Sequence, residues 1–537
     1  MPERLDCIRI PVALMLICGA VAIAAGAQPF QLKPYEGKTV EFHAAGAAAV
    51  PAALKATAPA LPLASITATA SAGAIQWIGT PQGLIRIDHS ADPRDRVQYF
   101  ASRRWLADDN VLAIVPDVRG AWVRTPKGVS RIRYTPTTLA QKAAAFEQRI
   151  ASRHDRHGFV ADSTFRTPGD PSSNVTVSND NDGLWTAMYA AAQCFQYSVT
   201  KSPEALARAR RAVDAILFLE QVTGRPGFPA RSYIKPGEIQ PRDGFWYDAQ
   251  DGIRWKADTS SDEIVGHFLI FALVHDLLPD PALKTRVQAT ARRIMDHILS
   301  NDLYLVDVTG KPTRWGRWHP DYFASETGKP DAPLNAAEIL MFLKVTHHVT
   351  GDAKYQREYL RLANDMGYAK MTTRYLELQE ELNYSDEELA LLSFYPLFLY
   401  EKDPALLALY RQGLDQWWQN IQREANPLWN FIYKVANPTA NVDLEGAVWT
   451  MQRLPMDLIK WTIRNSHRAD VTKVDAVDRH RRIEFKQLLP ADERPVMKWN
   501  GNPFVIDGGC AGCGEDDGAT LLLPYWLGRH HRLIAGQ

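Results

Sequence analysis

The sequence predicts a mainly α-helical chain built from paired helices, with a small β region at its N-terminal end. Apolar residues recur at three- and four-residue spacing through Leu184–Val199, Pro203–Glu220, Ile264–Leu278, Pro281–Leu299 and Ala336–Val349. The same spacing continues through Lys354–Tyr368, Glu387–Tyr400, Pro404–Ile421, Leu444–Trp461 and Ala519–Leu533. The links Thr200-Lys-Ser-Pro203, Pro279-Asp-Pro281 and Thr350-Gly-Asp-Ala353 are short, which makes neighbouring helices antiparallel. Before about residue 137 this periodicity is replaced by strand-like repeats. Some ten to twelve helices in consecutive pairs imply a closed ring or a helical solenoid.

The first 27 residues read as a signal peptide. Arg4 and Arg9 precede the apolar stretch Ile10 to Ala25, and Ala25-Gly26-Ala27 is an A-x-A cleavage site before Gln28. No later segment is apolar for long enough to span a bilayer, so the mature chain is expected in the periplasm or outside the cell. Cys18, preceded by Ile17, lies within the apolar stretch and does not form a lipoprotein site. The remainder, within a chain of 537 residues that is 46% hydrophobic and 23% charged, has the make-up of a globular protein with a large core. With 61 basic and 61 acidic residues, net charge gives no case for nucleic acid or an anionic membrane surface. Cys194, Cys510 and Cys513 remain after cleavage. The spacing Cys510-Ala-Gly-Cys513 suits a local disulfide or two free thiols better than zinc, because no second ligand pair accompanies it.

The β region carries an internal repeat. Gln76-Trp77-Ile-Gly-Thr80-Pro-Gln-Gly83-Leu84 is echoed by Ala121-Trp122-Val-Arg-Thr125-Pro-Lys-Gly128-Val129, with Trp, Thr and Gly in matching places. Between them stands Trp105-Leu-Ala-Asp-Asp109-Asn110-Val-Leu-Ala-Ile-Val-Pro-Asp117. The period of about 45 residues is that of a propeller blade. This pattern resembles the two-component-regulator type of propeller repeat. Two blades cannot close a propeller, so the pair is expected to pack as a β cap, spanning 28–135, against a helical domain over 136–537.

Long loops precede the first helix of each pair, and because each pair returns the chain to its starting end, these loops gather at one end. They read Asn179-Asp180-Asn-Asp182-Gly-Leu-Trp185, then Trp255 to Glu263, then Trp315-Gly-Arg317-Trp318-His319-Pro-Asp321-Tyr322. Asn383-Tyr-Ser385-Asp386-Glu387-Glu388, Asn426-Pro-Leu-Trp429-Asn430, Arg464-Asn465-Ser-His467-Arg468 and Trp499-Asn500-Gly-Asn502 follow. Paired helices with aromatic and acidic loops at one end resemble the six-hairpin, (α/α)6-toroid glycosidases and polysaccharide lyases, a group that includes the unsaturated glucuronyl hydrolases. The resemblance is architectural and spans about 180–533. It implies an oligo- or polysaccharide substrate.

Glycoside hydrolysis needs two carboxyl groups across the scissile bond, one with a raised pKa. Ser260/Glu263, Asn335/Glu338 and Ser385/Glu388 have capping-box spacing, which assigns those glutamates to helix starts. Asp182 and Asp262 are therefore the predicted acid and base, with His267 assisting from the face it shares with Glu263. Asp180, Asp258, Glu263 and Asp386 are predicted to bind substrate, as are Arg317, His319, Asn430, Asn500, His467 and Arg468. Trp185, Trp255, Trp315, Trp318, Trp429 and Trp499 are predicted sugar platforms, two or three of them going to the core. A lyase reading would use Arg317, His319, Tyr322, Asn465, His467 and Arg468 to neutralise a uronate and remove its C5 proton. A non-catalytic glycan binder is the third reading. The start of an EF-hand-like loop at Ser178 fails at its twelfth position, Tyr189, so no metal is assigned. No Walker loop, dinucleotide fingerprint, H-E-x-x-H or G-x-S-x-G is present, and no cofactor is assigned.

Overall fold

The computed structural model describes residues 28–44, 51, 66–379, 382–478 and 480–536; the signal-peptide reading of 1–27 lies outside them. The fold is mainly α, with small antiparallel sheets towards the N-terminus.

Twelve helices make up the helical part among the described residues. In chain order they are α1 (Leu139–Arg149), α2 (Asp182–Thr200), α3 (Pro203–Gln221), α4 (Ser261–Leu277), α5 (Pro281–Ser300) and α6 (Ala332–Thr350). Then come α7 (Ala353–Leu360), α8 (Tyr384–Tyr400), α9 (Pro404–Ile421), α10 (Pro427–Ala436), α11 (Leu444–Arg453) and α12 (Ala519–His530). Several short helical turns lie between them. Contacts run in a cycle: α2 packs on α4, α4 on α6, α6 on α8, α8 on α10, α10 on α12, and α12 returns to α2. Each of these inner helices also packs on an outer helix, respectively α3, α5, α7, α9, α11 and α1, and α6 and α10 touch α5 and α9 as well.

The sequence dictates which helix goes inside. From Glu263 to Val274, α4 is buried all round, as suits a helix surrounded by protein. Its partner α5 buries only Leu283, Val287, Thr290, Ala291, Ile294, Met295 and Ile298, one stripe with polar residues outward. Outer helices begin on caps: Ser202, Asp280 and Asp403 each accept a backbone N–H of the first turn, ahead of a proline that needs no partner. Two helix boundaries differ from the sequence reading. The predicted helix over 444–461 stops at Arg453, just before Leu454-Pro455. The stretch from Asn426, read as a loop, is the N-cap and body of α10, because Asn426 accepts from Leu428 and Trp429 ahead of Pro427.

The two sequence repeats form two four-stranded antiparallel sheets. One has strand order β3-β4-β5-β6 (Ala68–Ala72, Ile75–Thr80, Gly83–Asp88, Val97–Phe100). The other has order β2-β9-β8-β7, from Tyr35–His43, Gly128–Thr137, Gly120–Thr125 and Ala113–Asp117. The matched Thr and Gly make matching turns. Thr80 Oγ1 donates to Gly83 O at 2.8 Å and Thr125 Oγ1 to Gly128 O at 3.0 Å, with glycine φ of 152° and 145°. Trp77, Phe100, Trp105, Val123 and Ile132 form a core shared by both sheets. This β region meets the helical ring through Arg453, whose guanidinium bonds Asp95, Asp492 and Glu493 at 2.6–3.0 Å. The chain's two ends join as well: β1 (Phe30–Leu32) pairs in parallel with Ile534–Gly536. Cys510 and Cys513 are disulfide-bonded and Cys194 is a buried thiol. Among the described residues no helix is long and apolar enough to cross a membrane.

Candidate functional site

The long connections run from outer to inner helices, so the inner helices present their N-terminal turns at one end of the ring. There the chain concentrates carboxyl groups whose charges act on one another. Asp262, in the first turn of α4, is half-buried and accepts from Asn181 Nδ2 at 3.3 Å. Glu388, in the second turn of α8, is buried with Oε1 unbonded. Burial, reinforced by the charge of Asp262 and opposed by Lys498, pushes its pKa up to about 8. Glu338 of α6 is likewise raised to about 8, by burial first and by Asp262 and Asp386 further; Trp318 Nε1 donates to its Oε2 at 2.9 Å and opposes the shift. Asp386 of α8 is half-buried beside them.

Lys498 completes the cluster. Burial alone would lower its pKa, but the carboxylates of Asp516 (3.5 Å) and Asp517 hold it above the ordinary lysine value. Its ammonium lies 4.7 Å from the ring centroid of half-buried Trp185, a cation–π contact beside the carboxyls. The arrangement has two carboxyls that stay protonated at neutral pH, two half-buried aspartates, a fixed cation and an indole. It can donate a proton and accept one.

The structure brings Asp262, Asp386 and Trp185 together, and Arg317 borders the same place. Arg317 Nε donates to Thr313 O at 2.8 Å, and its guanidinium lies 5.6 Å from the ring of Tyr322, which couples to Glu338. Asp180 is exposed and paired with Lys256. Asp258, at φ 54°, accepts from Arg314 N at 2.9 Å and braces a loop. His319 caps the short helix Pro320–Ala324 and stacks on Tyr304 at 5.4 Å. Asn500 is half-buried two residues beyond Lys498.

Other predicted site residues need correction. Asp182 is fully buried and bound by Arg156 and Ser232, so its carboxylate anchors a β loop to α2 and offers no face to a substrate. His267 is sealed inside α4, with Nδ1 on Glu263 O at 2.6 Å and its pKa lowered by burial to about 4. Glu263 is buried against Gly183, where a Cβ would stand 1.9 Å from its Oε2; burial, and then the charges of Asp182 and Asp262 against that of Arg231, keep it protonated. Trp255 is core, stacked on Tyr247 at 5.1 Å. Trp429 and Asn430 are buried because Pro427 starts a helix there, and Asn430 Nδ2 donates to Asp443 O at 2.9 Å. Trp499 is buried, donating to Thr520 O at 2.7 Å. His467 and Arg468 belong to the contact with the β region: His467 Nε2 meets Tyr99 OH at 2.9 Å and Arg468 pairs with Asp470 and Glu493.

Sequence reasoning missed Glu338, Glu388 and Lys498. The reason is local. None of the three expected capping boxes forms. Ser260 is an N-cap without a side-chain bond to the helix, α6 starts at Ala332 so that Asn335 is already inside it, and the cap of α8 is Asn383. With helices beginning earlier than expected, Glu338 and Glu388 fall in the second turn and face protein instead of reaching back to a cap.

No protein-family model matches the chain, and no curated protein matches it. Among solved structures, a sugar epimerase from a ruminal bacterium is similar to it at 13% identity and a TM-score of 0.35, over 72% of this chain and 98% of that one. So slight a likeness carries no argument.

Proposed function

We propose that this chain is an exported carbohydrate-active enzyme, a glycoside hydrolase, built on an (α/α)6 toroid. Glu388 would act as the general acid and Asp262 as the base or nucleophile. Asp386 would bind sugar hydroxyls, Glu338 would raise the local proton affinity from behind, and Trp185 with Lys498 would form one wall. The cyclic contacts of six helical pairs support the toroid. The observation that carries the chemistry is Glu388, a buried carboxyl that keeps its proton to about pH 8 beside the Asp262 charge. One carboxyl poised to donate and another to accept is the arrangement that hydrolysis of a glycosidic bond requires.

In this reading residues 1–27 direct export to the periplasm or beyond, 28–135 are two propeller-type repeats acting as a cap, and 136–537 are the catalytic toroid. The substrate is an oligo- or polysaccharide, with no role for nucleic acid. The test is incubation of the mature chain with a polysaccharide panel. A hydrolase releases reducing ends without new ultraviolet absorbance, and the release disappears in Asp262→Asn and Glu388→Gln. Absorbance from an unsaturated product would replace hydrolase by lyase, and binding without turnover would leave a glycan-binding protein.

A further inference from the structure

At the opposite end of the same helices lies a group of a different kind. His275 and Asp276 occupy the last turn of α4, His348 the last turn of α6, and Tyr400 the last position of α8. His275 Nδ1 is 2.9 Å and His348 Nε2 2.7 Å from the same oxygen, Asp276 Oδ1. One ligand atom from each of the three residues fits within a 4.8 Å span.

We propose that His275, Asp276 and His348 form a binding site for a zinc-class divalent cation, which would fasten three consecutive inner helices at their C-terminal ends. Two imidazole nitrogens and one carboxylate oxygen are the donor set that suits zinc and its neighbours rather than magnesium or calcium, which prefer oxygen cages. The surroundings match a cation in three independent respects. Helix C-termini carry negative partial charge, and three of them end here. Tyr400 OH donates to Asp276 Oδ2 at 2.7 Å, which orients the carboxylate and leaves Oδ1 towards the imidazoles. Tyr400 also stacks on the His348 ring with centroids 3.9 Å apart, which fixes the plane in which Nε2 points.

To share one ion the two imidazole nitrogens, now within 4.8 Å of each other, close to about 3.3 Å. Zinc with bonds of about 2.0–2.1 Å separates tetrahedral ligands by roughly 3.3 Å, so the 2.7 and 2.9 Å contacts open by about half an ångström. The three side chains are 28%, 32% and 30% exposed, so they can move that far and water can take the fourth position. Each imidazole offers its lone pair at the facing nitrogen by carrying its proton on the other one.

The experiment uses the mature chain, stripped with chelator and dialysed against Zn2+, with Mg2+ as control and Co2+ as a spectroscopic probe. The expected result is one zinc per chain, a visible cobalt spectrum, and a Tm that rises with Zn2+ and not with Mg2+. Both metal signals vanish in His348→Gln, and Tyr400→Phe binds about tenfold more weakly. Should His348→Gln fail to fold, His275→Gln removes a ligand from a partly exposed position and gives the same reading. Equal zinc uptake by wild type and a folded ligand variant would overturn the proposal, as would no uptake by wild type. Because the readouts are metal content, cobalt absorption and Tm, the result stands apart from whether the carboxyl end hydrolyses any glycan.

Discussion

The two ends of the inner helices treat carboxyl groups in opposite ways. At the N-terminal turns, where the helix dipole favours a carboxylate, Glu263, Glu338, Glu387 and Glu388 are held protonated to well above the ordinary range. At the C-terminal turns, where the dipole disfavours one, burial raises Asp276 less than the hydrogen bonds from His275, His348 and Tyr400 lower it, and it stays ionised far below that range. The dipole contributes about 0.3–1 kcal/mol and fades within a turn. Desolvation of a fully buried carboxyl is worth several pKa units, and so are two or three direct donors. The comparison teaches that immediate partners and access to water decide the charge of these groups, and that position along a helix does not.

The strongest way to break this contrast is by activity. Glu388→Gln and Asp262→Asn are each expected to lower glycan turnover by about 10²–10⁴-fold, measured as reducing-end release, while Asp276→Asn leaves it within about twofold. Equal losses at both ends would mean that the carboxyls act through stability alone. Next in size is Asp182→Asn. It removes the nearer, fully buried carboxylate from the Arg156 guanidinium, leaving only Glu238 at 3.4 Å, and should cost roughly 3 kcal/mol in urea unfolding, with any turnover of the folded chain kept.

A pH series sharpens the contrast further. For Glu338 and Glu388 the folded pKa of about 8 lies above the unfolded value of about 4.5. Their contribution is therefore complete below pH 4.5 and is lost as pH rises to about 8. Asp276 has the opposite sign: its contribution is present above the ordinary aspartate pKa and is lost as pH falls below it. Urea midpoints should thus decline from pH 5 to 8 less steeply in Glu388→Gln than in wild type. They should decline towards pH 3 less steeply in Asp276→Asn. If Glu388 is the general acid proposed above, turnover should also fall as pH rises through about 8 and it loses its proton. The smallest effect is expected for Trp185→Ala. Loss of the indole under Lys498 should raise KM by about fivefold to tenfold with little change in kcat, measured by initial rates.

Much of the site was out of reach of sequence reading for a physical reason. Ser260 is the N-cap of α4 as expected, though without a side-chain bond, whereas the spacings at Asn335 and Ser385 are compatible with a capping box and equally with a helix that starts a few residues earlier. A shift of that size rotates a glutamate from the cap to the interior. Asp182 illustrates the reverse case. Its loop reads as an acidic rim, but Arg156 and Ser232, 26 and 50 residues away in sequence, take up its carboxylate. Trp429 and Asn430 turned from rim to core because Asn426-Pro427 was read as a loop instead of a helix start.

By itself the sequence determined the mainly helical class, the pairing of helices through short links, and the two β repeats with Trp, Thr and Gly in matching places. These follow from periodicity, proline and glycine within a few residues, where chain geometry allows few alternatives. Which carboxyl is sealed, which is paired and which keeps its proton was decided by the tertiary structure. A carboxyl's charge depends on water and on partners several angstroms away in space, and those partners come from helices that meet only when the ring closes.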